Sequence, residues 1–132
     1  MDKEIISTPD APGTAPYASG GFPYSQAVRA AGLVFVAGQG PFDAATGRIV
    51  GSTIQEQTRQ CLANIDAVLR AAASSMEKVV NATFILRDPA DFGGMNEEWV
   101  HWFPKDPPAR QGARHPLDVE GLRISIAVVA LA

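Results

Sequence analysis

The chain has 132 residues, of which 46% are hydrophobic and 19% are charged, and its formal net charge is -3. This length suits one domain with one hydrophobic core, and the composition is that of a globular protein rather than a disordered one. The acidic balance and the scattered Lys and Arg residues give no basic surface for a phosphate backbone, so we expect no nucleic-acid partner.

Residues 1–4 lack the basic start and apolar run of a signal peptide, and no stretch approaches the roughly 20 apolar residues that a membrane span needs. Cys61 is the only cysteine in the sequence, so it cannot form an internal disulfide. No cluster of cysteine or histidine has metal-ligand spacing. We therefore expect a cytoplasmic protein with no membrane partner and no metal site.

In chain order, residues 9–21 are rich in Pro, Gly, Ala and Ser and lack periodicity, which predicts an extended arm or loop over residues 1–21. Two short strands should follow, over residues 27–31 and 33–37. The second begins with the unbroken apolar run 33–36, which is typical of a strand buried on both faces. Residues 22–132 are predicted to form a single domain.

A helix should begin at Thr53, because Glu56 three residues later completes a capping box. Its apolar residues recur every three or four positions, whereas Gln57 and Arg59 lie mostly off the apolar stripe. The stripe comprises Cys61, Leu62, Ile65, Val68, Leu69 and Ala72. Cys61 is therefore predicted to lie in the core, and a strand over residues 79–86 should follow the helix.

A second helix is predicted over about 89–103, although Gly93 and Gly94 each cost roughly 1 kcal/mol relative to alanine. Prolines end it, and a strand should start near Ala109, turn around residues 120–121 and return over 122–130. In that last strand Ser125 points away from the main apolar row.

The order of elements predicts an α+β or α/β sandwich, with two helices on one face of a mixed sheet. Because strand 33–37 is apolar on both sides and no third helix is available to cover it, the second face of the sheet should be buried against other copies of the chain. A homo-oligomer is therefore expected.

Four motifs carry a resemblance to a known family. They are Pro-Tyr-Ser-Gln-Ala-Val at 23–28, Leu-Val-Phe-Val-Ala-Gly-Gln at 33–39, Glu-Gln-Thr-Arg-Gln at 56–60 and Pro-Ala-Arg at 108–110. In this order and spacing, from about residue 22 to the C-terminus, the chain resembles the RidA/YjgF (reactive intermediate deaminase) family, as a divergent member.

The resemblance implies an α+β, chorismate-mutase-like fold, with a mixed six-stranded sheet and two helices on one face. It also implies a homotrimer with a central barrel and ligand clefts between subunits. Active members of the family hydrolyse small enamine or imine acids such as 2-aminoacrylate to 2-keto acids and ammonia. They use no metal and no organic cofactor.

Carried over residue by residue, the resemblance makes Arg110 the group that binds the substrate carboxylate, which suits the planar fork of a guanidinium. Tyr24 would line the cleft, Gly38 would let the backbone approach the ligand, and Asn96 would lie nearby. The ordinary alternatives are an ion pair for Arg110, core packing for Tyr24, a strand end for Gly38 and a solvated or capping position for Asn96.

Departures from the family pattern put the chemistry in doubt. Ser125 occupies the position where deaminating members carry an acid–base glutamate, and a hydroxyl cannot replace it unaided. Asp118 or Glu120 could supply a carboxylate only from the preceding turn. Gly112 replaces a common cysteine, and Arg114 and His115 stand where other members are mostly apolar or acidic.

The histidines, His101 and His115, are expected to be structural or surface groups, because neither has a second ligand at metal spacing.

The sequence leaves three alternative functions. The first is a deaminase of small enamine or imine acids that uses Arg110 and an unconventional water-activating group. The second is a non-catalytic trimer that binds a small carboxylic acid, which Ser125 favours. The third, RNA cleavage or inhibition of translation, has little support from the chain's charge.

Overall fold

A computed structural model describes residues 2–13, 22–116 and 118–132. The elements in chain order are strand β1 (Glu4–Ile6), β2 (Ala27–Ala30), β3 (Leu33–Gln39), helix α1 (Ile54–Ala71), β4 (Val79–Leu86), helix α2 (Phe92–Trp102), β5 (Ala109–Arg114) and β6 (Ile124–Leu131). Short 3₁₀ turns precede β4, at Met76–Lys78, and α2, at Pro89–Asp91.

The strands form one six-stranded sheet in the order β1-β2-β3-β6-β4-β5. All neighbouring strands are antiparallel except β4 and β5, which are parallel. β6 lies between β3 and β4, so α1 connects two strands that are parallel but not adjacent, and α2 connects the adjacent parallel pair. The expected mixed sheet with two helices is confirmed.

The start of α1 follows from its capping box. The Thr53 hydroxyl accepts a hydrogen bond from the Glu56 amide at 3.1 Å, and the Glu56 carboxylate accepts one from the Thr53 amide, also at 3.1 Å. These reciprocal bonds satisfy amides that have no partner within the helix. The predicted helix start is therefore confirmed.

The predicted apolar stripe of α1 is buried against the sheet, and Cys61 is fully buried within it. Burial raises the pKa of the Cys61 thiol. The prediction for Gln57 is wrong, because its side chain is buried and connects three parts of the chain. It donates to the carbonyls of Gly51 and Gly121 and accepts from the amide of Arg123, which ties α1 to the start of β6.

α2 begins at Phe92, three residues later than predicted, because Pro89–Asp91 forms a 3₁₀ turn. Its two glycines have different surroundings. A Cβ at Gly94 would lie 2.5 Å from Ile54 of α1, whereas a Cβ at Gly93 would meet nothing within 4 Å. Gly94 therefore allows α2 to pack closely on α1.

The sheet face opposite the helices is open within one chain. In β3, Val34 and Val36 are buried beneath the helices, but Phe35 is 44% exposed on the other side. Leu131 of β6 is also exposed, and Ala127 and Val129 are only partly buried. Within one chain the run 33–36 is thus buried on one face only, and its second face is apolar and uncovered.

β1 pairs with β2 along the sheet edge, with Ile6 opposite Ala27. This strand is not predicted from the sequence, because it falls in the segment that is expected to be an arm or loop. Residues 14–21 of that arm lie outside the described residues. Among the described residues, no helix is long and apolar enough to cross a membrane.

Removing the cap should destabilise the protein measurably. We expect Thr53→Ala to lower the free energy of unfolding by about 1 kcal/mol, because an amide of the first turn loses its acceptor. Urea denaturation of this variant beside Ser52→Ala, which changes an exposed neighbour, measures the difference. Equal stability of the two variants would contradict a structural role for the capping box.

Candidate functional site

Arg110 is the second residue of β5, the last strand of the sheet order. It pairs with Ala82 of β4, whose side chain is buried on the helix side, so Arg110 points to the helix side as well. There its Nη1 donates a 2.7 Å hydrogen bond to Oδ1 of Asn96 in α2. The structure therefore brings together two of the residues that the sequence singled out.

Three aromatic rings surround the guanidinium of Arg110. Its Cζ lies 5.0 Å from the ring centroid of Phe84, 5.4 Å from that of Phe92 and 5.0 Å from that of Trp99. Cation–π contacts of this length are attractive. Desolvation by burial lowers the pKa of Arg110, yet a guanidinium stays protonated at neutral pH.

Gly112 makes room for one of those rings. It pairs with Phe84 across the parallel strands, and a Cβ at position 112 would lie 2.2 Å from the Phe84 ring. The Phe84 ring thus occupies the space that a cysteine side chain would need. This gives the departure at Gly112 a physical reason, since it lets an aromatic ring lie beside Arg110.

The other predicted site residues lie together in a different place. Tyr24, Gly38 and Ser125 line one cavity of about 670 Å³. Aromatic and titratable side chains complete its wall, among them Phe22, Phe42, Asp43 and His115. Phe22 and Tyr24 stack with their ring centroids 6.0 Å apart. The five predicted residues therefore form two groups, and Arg110 and Asn96 do not line this cavity.

Carboxylates are poorly placed to act in the cavity. Asp43 accepts hydrogen bonds from the amides of Ala45 and Thr46, both at 2.8 Å. These bonds lower the pKa of Asp43. Asp118 pairs with Arg87 at 2.6 Å, and neither Asp118 nor Glu120 lines the cavity.

His115 belongs to the cavity wall, although its sequence context indicated a structural or surface role. The register of the strands explains its position. Ile85 of β4 pairs with both Ala113 and Ser125, so these three side chains lie on the open face of the sheet. His115 is two residues beyond Ala113, and its amide continues the ladder by donating to the carbonyl of Leu86 at 2.9 Å. The alternation of side chains between the two faces of β5 is the sequence signal from which the position of His115 could have been predicted.

Arg114 faces the other way. It lines a separate depression of about 560 Å³ that Arg87 and Arg123 also border. The other histidine, His101, is exposed near the end of α2. In the described part of the chain, no group of three or more His, Cys, Asp or Glu side chains is arranged to hold a metal ion.

Comparison with known proteins gives consistent matches over nearly the whole chain. The family model described as Endoribonuclease L-PSP matches residues 13–132. A RutC family protein of Pyrococcus horikoshii is 44% identical over 120 residues, which cover 89% of this chain and 90% of that protein. The human protein named 2-iminobutanoate/2-iminopropanoate deaminase is 35% identical over 129 residues, covering 98% of this chain and 90% of that protein.

Among solved structures, that of TdcF from E. coli with bound serine has a TM-score of 0.85 at 29% identity. The match covers 98% of this chain and 98% of that chain. The fold of the described residues is therefore shared with this protein from end to end.

The fit between Gly112 and Phe84 can be tested by adding one methyl group. We expect Gly112→Ala to lower the free energy of unfolding by about 1–3 kcal/mol, because the Phe84 ring must leave its position against Arg110 and Phe92. Gly93→Ala is the matched control, since its Cβ meets nothing and alanine favours a helix. Chemical denaturation compares the variants, and Phe84→Val should relieve the loss in the double variant. A Gly112→Ala protein as stable as the wild type would contradict the close contact.

Proposed function

The chain belongs to the RidA/YjgF family, whose sequence model is described as Endoribonuclease L-PSP, and from that membership we propose that it hydrolyses small enamine or imine acids to 2-keto acids and ammonia. A human relative at 35% identity is named as a deaminase of 2-iminobutanoate and 2-iminopropanoate, both of them small imine acids. The observation that carries the proposal for this chain is the arginine held beside β5.

Arg110 is suited to binding a carboxylate. One of its N–H groups donates to Asn96, and its cation–π contacts with the aromatic rings are not hydrogen bonds. No carboxylate of the described residues forms an ion pair with it. A guanidinium has five N–H donors, so a parallel pair remains for a ligand. Partial burial strengthens such a bond, because water competes less for it.

We further propose that the complete site forms between two copies of the chain in a homotrimer. Arg110 and Asn96 would bind the carboxylate from one copy, and the cavity of Tyr24, Gly38 and Ser125 on another copy would hold the rest of the substrate. The separation of these two groups within one chain supports this arrangement. The uncovered apolar face of the sheet, including Phe35, supports self-association.

One alternative is a trimer that binds a small carboxylic acid without turnover. Ser125 favours it, because a serine hydroxyl cannot take a proton from water at neutral pH. The TdcF structure was solved with serine, itself a small carboxylic acid. Binding and turnover share Arg110, so only a rate measurement separates them.

RNA cleavage has the weakest support, despite the wording of the family description. The net charge is -3, and basic residues such as Arg59, Arg87 and Arg123 are paired with carboxylates. Such a surface offers little attraction to a phosphate backbone.

Turnover should depend on Arg110. We expect the protein to accelerate release of 2-keto acid from 2-aminoacrylate or a branched-chain imine generated beside it. Arg110→Ala should lower kcat/KM about 10- to 100-fold, through the loss of charged hydrogen bonds to the carboxylate. Keto-acid formation followed by a coupled dehydrogenase measures both rates.

Arg48→Ala is the control for this experiment, because Arg48 is exposed in the loop between β3 and α1. The control variant should keep the wild-type rate. Wild-type protein that gives no acceleration with either substrate, while still binding a 2-keto acid, would favour the non-catalytic alternative.

Mixing subunits tests whether the site is shared. Arg110→Ala damages one half of the proposed site, and Gly38→Val fills the other half. If each site uses two chains, co-refolded mixtures of the two inactive variants should regain part of the wild-type rate, because some interfaces combine two intact halves. Mixtures no more active than their separate components would contradict a shared site.

A further inference from the structure

The proposed reaction needs a group that takes a proton from water, and Ser125 cannot do so. The side chains that line its cavity include three titratable groups, Tyr24, Asp43 and His115. Phenols keep their proton at neutral pH, which makes them weak acceptors. The choice therefore lies between a carboxylate and an imidazole.

Asp43 is a poor proton acceptor. Its Oδ1 already accepts two backbone hydrogen bonds in the turn after β3, from Ala45 and Thr46. These bonds favour the charged form and lower the pKa of the group, so its affinity for a proton is reduced. Its role in the turn is structural.

His115 has the geometry that Asp43 lacks. It follows β5 directly, and the strand register puts it on the same open face as Ser125, with Ile85 of β4 between their strands. Its side chain is partly buried and lines the cavity together with Tyr24, Gly38 and Ser125. The imidazole and the Ser125 hydroxyl therefore border one cavity that is large enough to hold water.

We propose that His115 is the acid–base group of the deaminase site and that Ser125 holds the attacking water. His115 would then take the role of the family's glutamate, whose position in this chain is occupied by Ser125. This inference rests on the proposed deaminase function. It assigns a residue to the proton transfer from water, for which Ser125 is unsuited. Imidazole suits the role because it is the side chain that ordinarily changes charge near neutral pH.

The proton transfers balance as follows. Neutral imidazole takes one proton from water as the water oxygen bonds to the imine carbon, and it then delivers that proton to the imine nitrogen, which gives a carbinolamine. Imidazole next takes the hydroxyl proton and passes it to the amine. The carbonyl forms as the C–N bond breaks, and ammonia leaves with the bonding electron pair. One imine and one water give one keto acid and one ammonia, and the imidazole is regenerated.

Several charged groups lie near His115, at the ends of β4, β5 and β6 and in the loops beside them. Arg87 follows β4 and pairs with Asp118, Arg123 precedes β6 and pairs with Asp91, and Arg114 points to the opposite face. Asp88 borders the same depression as Arg87 and Arg114, Glu120 lies in the loop before β6, and Asp43 lies on the cavity wall. Because both Arg87 and Arg123 have acidic partners, they do not act on the imidazole as isolated charges.

A comparison of turnover with binding tests the proposal. His115→Gln should lower kcat about 10²-fold or more, because the site loses its proton acceptor. Binding of a 2-keto acid and the unfolding midpoint should stay near the wild-type values, which separates loss of proton transfer from loss of the fold.

Two further variants make the result specific. His101→Gln changes the exposed histidine of α2 and should keep the wild-type rate. Adding Ser125→Glu to His115→Gln supplies a carboxylate in the same cavity, and it should restore turnover.

The outcomes distinguish the two proposals. Wild-type protein without turnover overturns the deaminase function and, with it, the role of His115. Wild-type turnover with a His115→Gln variant that keeps the wild-type rate overturns only the inference about His115.

Discussion

The arrangement of the proposed site depends on the position of one guanidinium. Arg110 lies on the outermost strand of the sheet order, fixed by Asn96 and three aromatic rings, while the cavity that contains Ser125 opens on the other face of the sheet. A strand has two faces, and consecutive residues alternate between them, so Arg110 of β5 faces the helices while His115, directly after β5, borders the cavity. The proposed site combines the two places from two copies of the chain, and the uncovered apolar face beside Phe35 is a surface on which such copies could associate.

Much of the fold could be predicted from the sequence because its signals are local. The Thr53 cap, the apolar stripe of α1 and the alternation in β6 each reflect contacts within a few residues or one buried face. β1 was missed because three residues carry too little periodicity, and they form a strand by pairing with β2. The burial of Gln57 depends on carbonyls brought close only by the folded chain.

The site was less predictable, for a different physical reason. The family motifs identify Arg110 and Tyr24 as site residues. The two residues belong to separate groups because of the order of strands in the sheet, which no local sequence pattern encodes. The contact between Gly112 and Phe84 is likewise a matter of register across two parallel strands. The sequence around His115 indicates only a structural or surface histidine, because it offers no second ligand at metal spacing. Its relation to Ser125 becomes visible only once both are aligned on Ile85 of β4.

In the proposed site, Arg110 of one copy and the Ser125 cavity of another hold a single small acid, and a crystal structure of the protein with a bound 2-keto acid would show whether they do. The ligand carboxylate should form two parallel hydrogen bonds with Arg110, at about 2.7–2.9 Å, and the keto carbon should face the Ser125 cavity of a second copy. A ligand enclosed within one chain, or bound away from Arg110, would contradict it.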